Sequence, residues 1–346
     1  MSQHHLLVAG ASGVIGRAAT LAFEEAGWRV TTLSRSSEGP GSGHHVSADL
    51  LDIASLRDAS DVLSSVTHVF YAALKPDPDP ATEAQQNGDM MRHLFQVLEE
   101  SQASIEHQVF VQGGKVYGAH LGVYKTPARE EDSRHFPPNL YFEHEDLARE
   151  LEGKGIRWTA LRPDIVIGHS LGSAMNLGNL IGLYGTLCRE LGVAMQFPGT
   201  ARAYDILLNI CDADLVGKAA LWAIAENQQG PYNVTNGDQI RWRHVWPEIA
   251  NWFGLETGEP QPISLETRLA AVSGTWKTLA ERQGLAETDI DKIAQGGFGD
   301  FIFHVEEDAV FDLTKARQAG FAEMCRHSPQ SLIQHLEAMK ERRLIP

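Results

Sequence analysis

A glycine-rich turn near the amino terminus constrains the fold of this 346-residue chain more than any other feature. The apolar segment HLLVAG is followed by ASGVIG, by a periodic apolar helix through Ala26, and by a second apolar segment, WRVTTLS. Gly10, Gly13 and Gly16 have the GxxGxxG spacing, in which missing side chains permit a tight turn, a close approach to pyrophosphate, and close packing of helix on strand. The pattern predicts a βαβ unit that binds a dinucleotide at the amino terminus of its helix.

Three glycines at this spacing are weak evidence by themselves, because ordinary turns use them too. Their position directly after an apolar strand and directly before a helix favours dinucleotide binding. The residues expected to contact the cofactor in this turn are Gly10, Ser12, Gly13, Val14, Ile15 and Gly16.

The end of the second predicted strand lacks the acidic residue that NAD-selective enzymes use to hold the ribose hydroxyls. Ser34 and Arg35 occupy that place. Because a guanidinium forms bidentate charged hydrogen bonds with phosphate, these residues predict binding of the 2′-phosphate of NADP(H). The alternative is a solvated surface arginine.

Further apolar segments, HHVSADL, THVFYAAL, HQVFVQGG and IRWTALRP, alternate with helical segments. This alternation predicts an α/β fold with a Rossmann-type, doubly wound parallel sheet. Asp49 and Leu50 are expected to close the third strand beside an adenine, and Ala72 and Ala73 to close the fourth beside the rest of the cofactor. All four could equally be ordinary strand ends.

The alternation of strands and helices becomes irregular after Pro163, and the chain is expected to return to the sheet twice. We therefore expect a Rossmann domain over 1–165 and 205–235, interleaved with a smaller, mostly helical substrate domain over 166–204 and 236–346. The backbone at Ile165 and Val166 is expected to meet the nicotinamide carboxamide. An apolar substrate pocket is expected to involve Met175, Tyr204, Phe298, Phe301 and Phe303, although such aromatic residues are more often plain core.

Tyr141 lies in NLYFEHED, at the start of a predicted helix, where short-chain dehydrogenases carry a Tyr-x-x-x-Lys pair. Position 145 is glutamate instead of lysine. Tyr71 does precede Lys75 at this spacing, but that segment leads into PDPDP, so the two side chains do not share a helix face. Lys115, in GGKVYG after the fifth strand, could supply a lysine from another element.

NLYFEHED resembles the NFYYxxED motif of the progesterone 5β-reductase and iridoid synthase-like enone reductases (PRISE), an atypical branch of the extended short-chain dehydrogenases. GGKVYG resembles the lysine-bearing segment of the same family, and the likeness continues through FPGTARAYD, YNVTNGD and RWRHVWPEIANWFG. It implies that Tyr141 is the catalytic tyrosine and Lys115 its distant partner. Leu140 and Phe142 replace two aromatic positions of the motif, so Tyr141 carries its one hydroxyl.

The reaction implied by this resemblance is hydride transfer from NADPH to the β-carbon of a small apolar enone or enal, extending to 3-oxo-Δ4-steroids. Tyr141 would stabilise the enolate oxygen. One alternative is a carbonyl reductase or a sugar-nucleotide epimerase or dehydratase, and the absent Tyr-x-x-x-Lys pair argues against it. A second is a non-catalytic NADP(H)-sensing regulator, against which Tyr141 and Lys115 argue.

Charge and composition narrow the expected partners. A formal net charge of −16 opposes binding to nucleic acid and to anionic lipid. With no run of about 18 apolar residues and no secretion signal, we expect a soluble, cytoplasmic protein without membrane association.

Cys188, Cys211 and Cys325 are widely spaced and are expected to be buried thiols, and no metal site is expected. Fold analogy allows a homodimer.

Overall fold

The structure is a computed structural model that describes residues 4–346 of the chain. Its main sheet contains seven parallel strands: β1 (His5–Ala9), β2 (Arg29–Ser34), β3 (His44–Ser47), β4 (His68–Tyr71), β5 (His107–Val111), β6 (Arg157–Arg162) and β9 (Gly230–Asn233). A separate parallel pair is formed by β7 (Ile165–Ile167) and β8 (Ile210–Asp212).

The strand order in the main sheet is β3-β2-β1-β4-β5-β6-β9. The chain runs outward from β1 through β2 to β3, and then crosses to the other side of β1 to form β4. In a doubly wound sheet, ligands bind at the carboxyl ends of the two strands where the order reverses. The expected Rossmann-type sheet is confirmed, and its switch point lies between β1 and β4.

The chain divides into two compact units. The first consists of the described part of Met1–Asp164 together with Ala213–Val234 and Asp312–Glu323, and the second consists of Ile165–Asp212, Thr235–Phe311 and Met324–Pro346.

Apart from single-residue differences at Ile165 and Thr235, these bounds differ from the expected ones at two places. Residues 205–212 belong to the second unit, where β8 pairs with β7. Residues 312–323 return to the first unit, where Lys315 Nζ donates to Pro231 O of β9 at 2.6 Å. The second difference was hidden from sequence reasoning because a short segment carries no periodicity that assigns it to a particular sheet.

Both units contain helices, and the second is mostly helical. Those of the first unit are α1 (Val14–Glu25), α2 (Ile53–Arg57), α3 (Ser60–Leu63), α4 (Pro80–Glu100), a 3₁₀ turn (Gly114–Tyr117), α5 (Leu140–Glu152), α8 (Ala213–Ala225) and α14 (Thr314–Gln318). Those of the second are α6 (Leu177–Leu191), α7 (Ala201–Asp205), α9 (Trp242–Trp252), α10 (Leu265–Ala271), α11 (Ser273–Gln283), α12 (Ile290–Ile293), α13 (Gly296–Ile302) and α15 (Ser328–Glu341).

Helices cover both faces of the main sheet. Leu7 and Ala9 of β1 belong to a core shared with α2 to α5, whereas the alternate residues Leu6 and Val8 are fully buried on the opposite face. There α1 packs closely against α8, because a β-carbon at Gly217 would lie only 3.1 Å from the Ala22 side chain. Burial on both faces explains why the strands are continuously apolar.

The second unit has its own core, which is rich in aromatic residues. The ring of Phe303 lies 5.5 Å from the rings of both Trp242 and Trp246. Phe303 is 1% exposed and the two tryptophans are fully buried. Phe303 is therefore a core residue, and its expected place in a substrate pocket is not supported by this burial.

The cysteines are free thiols in different environments. Cys188 and Cys211 are buried as expected, but Cys325 is exposed, so the expectation of burial was wrong for that residue. Within residues 4–346, no helix is both long and apolar enough to cross a bilayer. The same residues contain no group of three histidine, cysteine or acidic side chains arranged to hold a metal ion.

Candidate active site

The glycine turn lies at the switch point of the main sheet. Gly10 follows β1 with φ of +81°, and a β-carbon there would lie 2.5 Å from Ala73 N. A β-carbon at Gly16 would lie 2.2 Å from Gly10 O, whereas at Gly13 the nearest atom of the chain would be 3.4 Å away. The packing of the chain itself therefore requires the first and third glycines. The second keeps space open at the surface of the turn, as close approach by a ligand requires.

The amino terminus of α1 suits an anion. Its cap residue is Gly13, which has no side chain to accept hydrogen bonds from the first turn. Ser12 beside it is exposed, Ile15 is half-buried, and Val14 is buried at 6% exposure. The backbone N–H groups and the positive end of the helix dipole are therefore left to a ligand, so this turn fits the diphosphate of a dinucleotide.

Ser34 and Arg35 lie where β2 ends, next to the glycine turn, since Gly10 N donates to Leu33 O at 3.0 Å. Ser34 is buried, and its Oγ accepts a hydrogen bond from Ser36 N at 3.3 Å. Arg35 is exposed. An exposed guanidinium is available to solvent and to ligands, and the NADP(H) preference stays a prediction.

The end of the third strand differs slightly from expectation. Since β3 ends at Ser47, Asp49 and Leu50 lie beyond the strand. Asp49 is exposed and accepts a hydrogen bond from Leu51 N at 2.9 Å, while the Leu50 side chain is 5% exposed and packs in the core. Only the backbone of Leu50 is thus suited to a ligand contact.

Ala72 and Ala73 follow β4, which ends at Tyr71. Ala72 N donates to Ala9 O at 2.9 Å, which joins this segment to the end of β1. Both alanines are half-buried, so their small side chains leave the switch point open. Tyr71 is 1% exposed in the core, which agrees with its rejection as a catalytic residue.

Tyr141 is fixed at the beginning of α5, at the carboxyl edge of the same sheet. Asn139 caps the helix, and its Oδ1 accepts a hydrogen bond from Tyr141 N at 2.9 Å. The side chain of Tyr141 is half-buried. A β-carbon at Gly113, just after β5, would lie 3.3 Å from the Tyr141 hydroxyl and 3.6 Å from Pro163 O. Gly113 therefore lies directly beside the hydroxyl, and a larger residue there would crowd it.

The environment keeps the Tyr141 phenol protonated. Burial raises its pKa well above the ordinary tyrosine value, and the negative charge of Glu83 raises it further. At neutral pH the hydroxyl can thus donate a hydrogen bond, whereas a free tyrosinate is strongly disfavoured.

Lys115 reaches the same region from the 3₁₀ turn after β5. Its Nζ donates to both carboxylate oxygens of Glu83 on α4, at 3.1 and 3.2 Å. Its backbone carbonyl accepts a hydrogen bond from Asn139 Nδ2 at 2.9 Å. Asn139 thus both caps the tyrosine-bearing helix and ties the lysine-bearing turn to it, which brings the two predicted catalytic segments together.

Glu145 stands where a Tyr-x-x-x-Lys enzyme has its lysine, and it is buried at 6% exposure. Its carboxylate accepts hydrogen bonds from Arg162 Nη2 at 3.1 Å and from Arg149 Nη2 at 2.8 Å. Burial favours the neutral acid, but the hydrogen bond from Arg149 and the charges of Arg162 and Arg134 outweigh burial and lower the pKa of Glu145. This position therefore carries a negative charge where a Tyr-x-x-x-Lys enzyme carries a positive one, and the charge belongs to an ion-pair network.

Arg162, at the end of β6, connects this network to Tyr141. Its Nε donates to Gln112 Oε1 at 2.7 Å, and Gln112 Nε2 donates to Tyr141 O at 3.0 Å. Its Nη1 donates to the Tyr117 hydroxyl at 3.1 Å. The backbone of the predicted catalytic tyrosine is thus held from one side by its helix cap and from the other by Arg162 through Gln112.

The remaining predicted site residues lie in the second unit. Ile165 and Val166 form β7 with Ile167 and pair with β8. Met175 and Phe301 are 41% and 46% exposed, whereas Tyr204 and Phe298 are half-buried against the aromatic core. The two exposed apolar side chains are available to a ligand, and the role of all these residues stays a prediction.

Sequence reasoning missed Glu83, Gln112 and the role of Arg162. Glu83 lies within the periodic pattern of a long helix, where a carboxylate ordinarily faces solvent. Arg162 was visible before Pro163 at the end of a strand, and an arginine in an otherwise apolar strand is a signal that a buried partner exists. Nothing in the sequence identifies that partner.

Two curated relatives match almost the whole chain. An (S)-8-oxocitronellyl enol synthase from Camptotheca acuminata is 26% identical over 363 residues, which cover 98% of this chain and 93% of the relative. A 3-oxo-Δ(4,5)-steroid 5β-reductase from Arabidopsis thaliana is 25% identical over 367 residues, which cover 98% and 92%.

A solved structure supports the fold. The complex of UDP-glucose 4-epimerase from Thermus thermophilus with NAD superposes with a TM-score of 0.67 and 18% identity, covering 96% of this chain and 99% of that chain. At this identity the similarity shows the Rossmann architecture and does not extend to activity.

A family model described as a PRISE-like Rossmann-fold domain matches residues 43–346. The match contains Lys115, Gly113 and Tyr141, and it begins after the glycine turn. It confirms the resemblance inferred from NLYFEHED and GGKVYG. The chain therefore belongs to the PRISE-like family of Rossmann-fold proteins.

Proposed function

We propose that this protein uses NADPH to reduce the activated C=C bond of enones or enals by 1,4-addition. The observation that carries the proposal is the position of the Tyr141 hydroxyl directly beside Gly113, which has no side chain to crowd it, at the carboxyl edge of the sheet. The two relatives are named as a 5β-reductase of a 3-oxo-Δ4 steroid and as an enol synthase. Saturation at C5 and formation of an enol are both outcomes of hydride addition to a conjugated C=C bond.

Tyr141 would act as a neutral hydrogen-bond donor to the substrate oxygen. When hydride adds to the β-carbon, negative charge develops on that oxygen and is shared over the three atoms of the enolate. A phenol held in place stabilises such an anion without transferring its proton completely. This role matches a phenol whose raised pKa keeps it protonated.

The glycine turn fits a dinucleotide, as tested by the packing at Gly10, Gly13 and Gly16. A reduced nicotinamide cofactor supplies a hydride when bound. The turn would hold the diphosphate, and Ser34 and Arg35 would favour NADP(H) over NAD(H) through the 2′-phosphate. Comparable values of kcat/KM with NADPH and NADH would contradict this preference.

The proposed substrate is small and largely apolar, with one oxygen conjugated to the C=C bond. Met175 and Phe301 present exposed apolar surface that suits such a molecule, and Tyr204 and Phe298 would support it. The substrate class extends to 3-oxo-Δ4-steroids by similarity to the Arabidopsis reductase.

Carbonyl reduction or sugar-nucleotide chemistry is the weaker enzymatic alternative. The solved epimerase shares the fold at 18% identity, but in this chain the lysine of the Tyr-x-x-x-Lys pair is replaced by Glu145, which is paired with Arg162. A non-catalytic NADP(H) sensor would bind the cofactor without oxidising it, and steady-state turnover separates that case from both enzymes.

The proposal is tested by incubating the protein with NADPH and a panel running from 2-cyclohexen-1-one to progesterone and 8-oxogeranial. A saturated product is expected from at least one member. Tyr141→Phe should lower turnover roughly 10²-fold while NADPH binding is retained. Tyr184→Phe is the matched control, because Tyr184 is a half-buried tyrosine of the second unit whose hydroxyl donates to Gln196 O at 3.0 Å. Unchanged turnover in Tyr141→Phe would contradict the proposed role.

A further inference from the structure

Glu83, on α4, has a buried carboxylate whose orientation is fixed by hydrogen bonds. It lies in the first turn of the helix, which Asp79 caps through a hydrogen bond from Thr82 N to Asp79 Oδ2 at 2.9 Å. The residue is only 9% exposed. Both of its carboxylate oxygens accept hydrogen bonds from Lys115 Nζ, at 3.1 and 3.2 Å. These hydrogen bonds place the carboxylate against the predicted catalytic lysine.

Lys115 is the partner that this buried charge requires. Among residues 4–346, it is the one cationic side chain within ion-pair distance of the Glu83 carboxylate. A carboxylate that is removed from water loses part of its hydration, and a cation at ion-pair distance compensates part of that loss. The position of Glu83 therefore restricts where the ammonium group can lie.

Lys115 by itself would not be confined. Its side chain has four rotatable carbon bonds and is 38% exposed, so solvent competes for the ammonium group. The backbone is fixed, because Asn139 Nδ2 donates to Lys115 O. The Glu83 carboxylate adds the second anchor at the far end of the side chain, and the two anchors together define one position for the amine.

We propose that Glu83 is a positioning residue of the active site, whose carboxylate holds the Lys115 ammonium group beside Tyr141 and balances its charge. The inference rests on the proposed function in so far as Lys115 serves Tyr141. The charge of Glu83 also favours the protonated phenol, because it raises the pKa of Tyr141. This agrees with a tyrosine that acts as a neutral donor to an enolate.

The first test measures the availability of Lys115 and does not depend on any substrate. The full chain is treated with an amine-acylating reagent, and modification of Lys115 over time is followed by mass spectrometry. In Glu83→Gln, Lys115 should react about two- to fivefold faster, the factor that an ion pair of up to about 1 kcal/mol suppresses. Lys154, which pairs with Glu99 at 2.9 Å, provides an internal reference in each sample.

Glu100→Gln is the matched control, since Glu100 also lies on α4 and forms an ion pair, with Arg57 at 2.8 Å. It should leave the Lys115 rate unchanged. Glu83→Asp keeps the charge but withdraws the carboxylate, so it should give an intermediate rate and serves if Glu83→Gln does not fold. Equal rates in the parent and in both Glu83 variants would overturn the proposal.

The second test asks whether Glu83 acts through Lys115. Glu83→Gln should lower kcat for enone reduction about tenfold with little change in KM, within the range of coupling between residues in contact. In a Lys115→Met background the same substitution should cause no further loss. Additive losses would show that Glu83 acts independently of the lysine. If no enone is reduced, the proposed function fails, while the labelling rates still decide whether Glu83 holds Lys115.

Discussion

Two ion pairs flank Tyr141, and they differ in their access to water. The pair of Arg162 with Glu145 is buried, with side chains 5% and 8% exposed, whereas the pair of Lys115 with Glu83 has side chains 38% and 12% exposed. The first joins β6 to the helix that carries Tyr141, and the second joins α4 to the turn after β5. Both are pairs of a carboxylate with a cationic side chain, and they differ in how far solvent reaches them.

This difference in solvent exposure separates a structural role from a role in the reaction. Arg162 presents a rigid guanidinium with several fixed partners, so it stabilises one arrangement of the backbone around Tyr141. Lys115 is a compact charge on a flexible stem that remains in contact with solvent, so it can respond to a ligand. We therefore expect changes to the buried pair to alter stability, and changes to the half-exposed pair to alter activity.

The largest expected effect follows from restoring the lysine of the Tyr-x-x-x-Lys pattern. Glu145→Lys would place a second cation against Arg162 in a buried site, so the free energy of unfolding should fall by about 3 to 5 kcal/mol. Urea unfolding monitored by circular dichroism measures the change. Glu150→Lys, at an exposed position on the same helix, should change it by less than about 0.5 kcal/mol. A stable, more active Glu145→Lys variant would break the distinction between the two pairs.

Lys115→Met should lower activity and leave stability almost unchanged, which is the opposite of the effect expected for Glu145→Lys. We expect kcat for enone reduction to fall by roughly 10- to 100-fold, because Tyr141 loses its oriented partner. The unfolding free energy should change by no more than about 1 kcal/mol, since the Lys115 side chain is 38% exposed. Lys154→Met removes an exposed lysine from its pair with Glu99 and should leave kcat unaltered. If Lys115→Met lowers the free energy of unfolding and leaves kcat unchanged, Lys115 supports the fold and not the reaction.

A side chain at Gly113 should crowd the Tyr141 hydroxyl. The residue has φ of −168°, which any amino acid adopts, so the backbone itself tolerates substitution. Gly113→Ser would place a β-carbon 3.3 Å from the Tyr141 hydroxyl and add a competing hydroxyl, so kcat should fall about tenfold at nearly constant stability. Gly274→Ser, where a β-carbon meets no atom within 4 Å, is the control. Full activity in Gly113→Ser would show that the substrate oxygen does not approach the hydroxyl from this side.

The smallest effect concerns the acid side of the stability curve. Although burial opposes ionisation, arginine contacts lower the pKa of Glu145 below its unfolded value. Glu145 therefore adds stability at neutral pH, and this is lost as pH falls below about 4.5 and through the folded pKa. The gap in unfolding free energy between the parent and Glu145→Gln should narrow there, by at most about 1.4 kcal/mol per pH unit. A constant gap from pH 7 to pH 3 would contradict this.

Local features of the site were accessible from the sequence. The glycine spacing identifies the turn because Gly16 packs against Gly10 O within the same βαβ unit, whereas Gly10 itself packs against Ala73 after β4. Tyr141 could be placed because a helix start follows from nearby residues, and Asn139 is indeed its cap. The family resemblance supplied Lys115, which the residues alone offered only as one option.

Partners that are distant in the chain could not be predicted. Glu83 and Lys115 are 32 residues apart on different elements, and Arg162 and Glu145 meet only when β6 lies beside α5. A helix pattern shows that a residue faces the interior, but the group it meets depends on how the layers pack. For the same reason, the return of 312–323 to the first unit appears only in the structure.

The central claim is that Tyr141 serves conjugate reduction, and the position of the transferred hydride tests it most directly. The protein is incubated with 2-cyclohexen-1-one and NADPH that carries deuterium on the transferred position of nicotinamide C4, and the product is examined by NMR. We predict cyclohexanone with deuterium on the former β-carbon. An allylic alcohol with deuterium on the carbinol carbon would contradict the account.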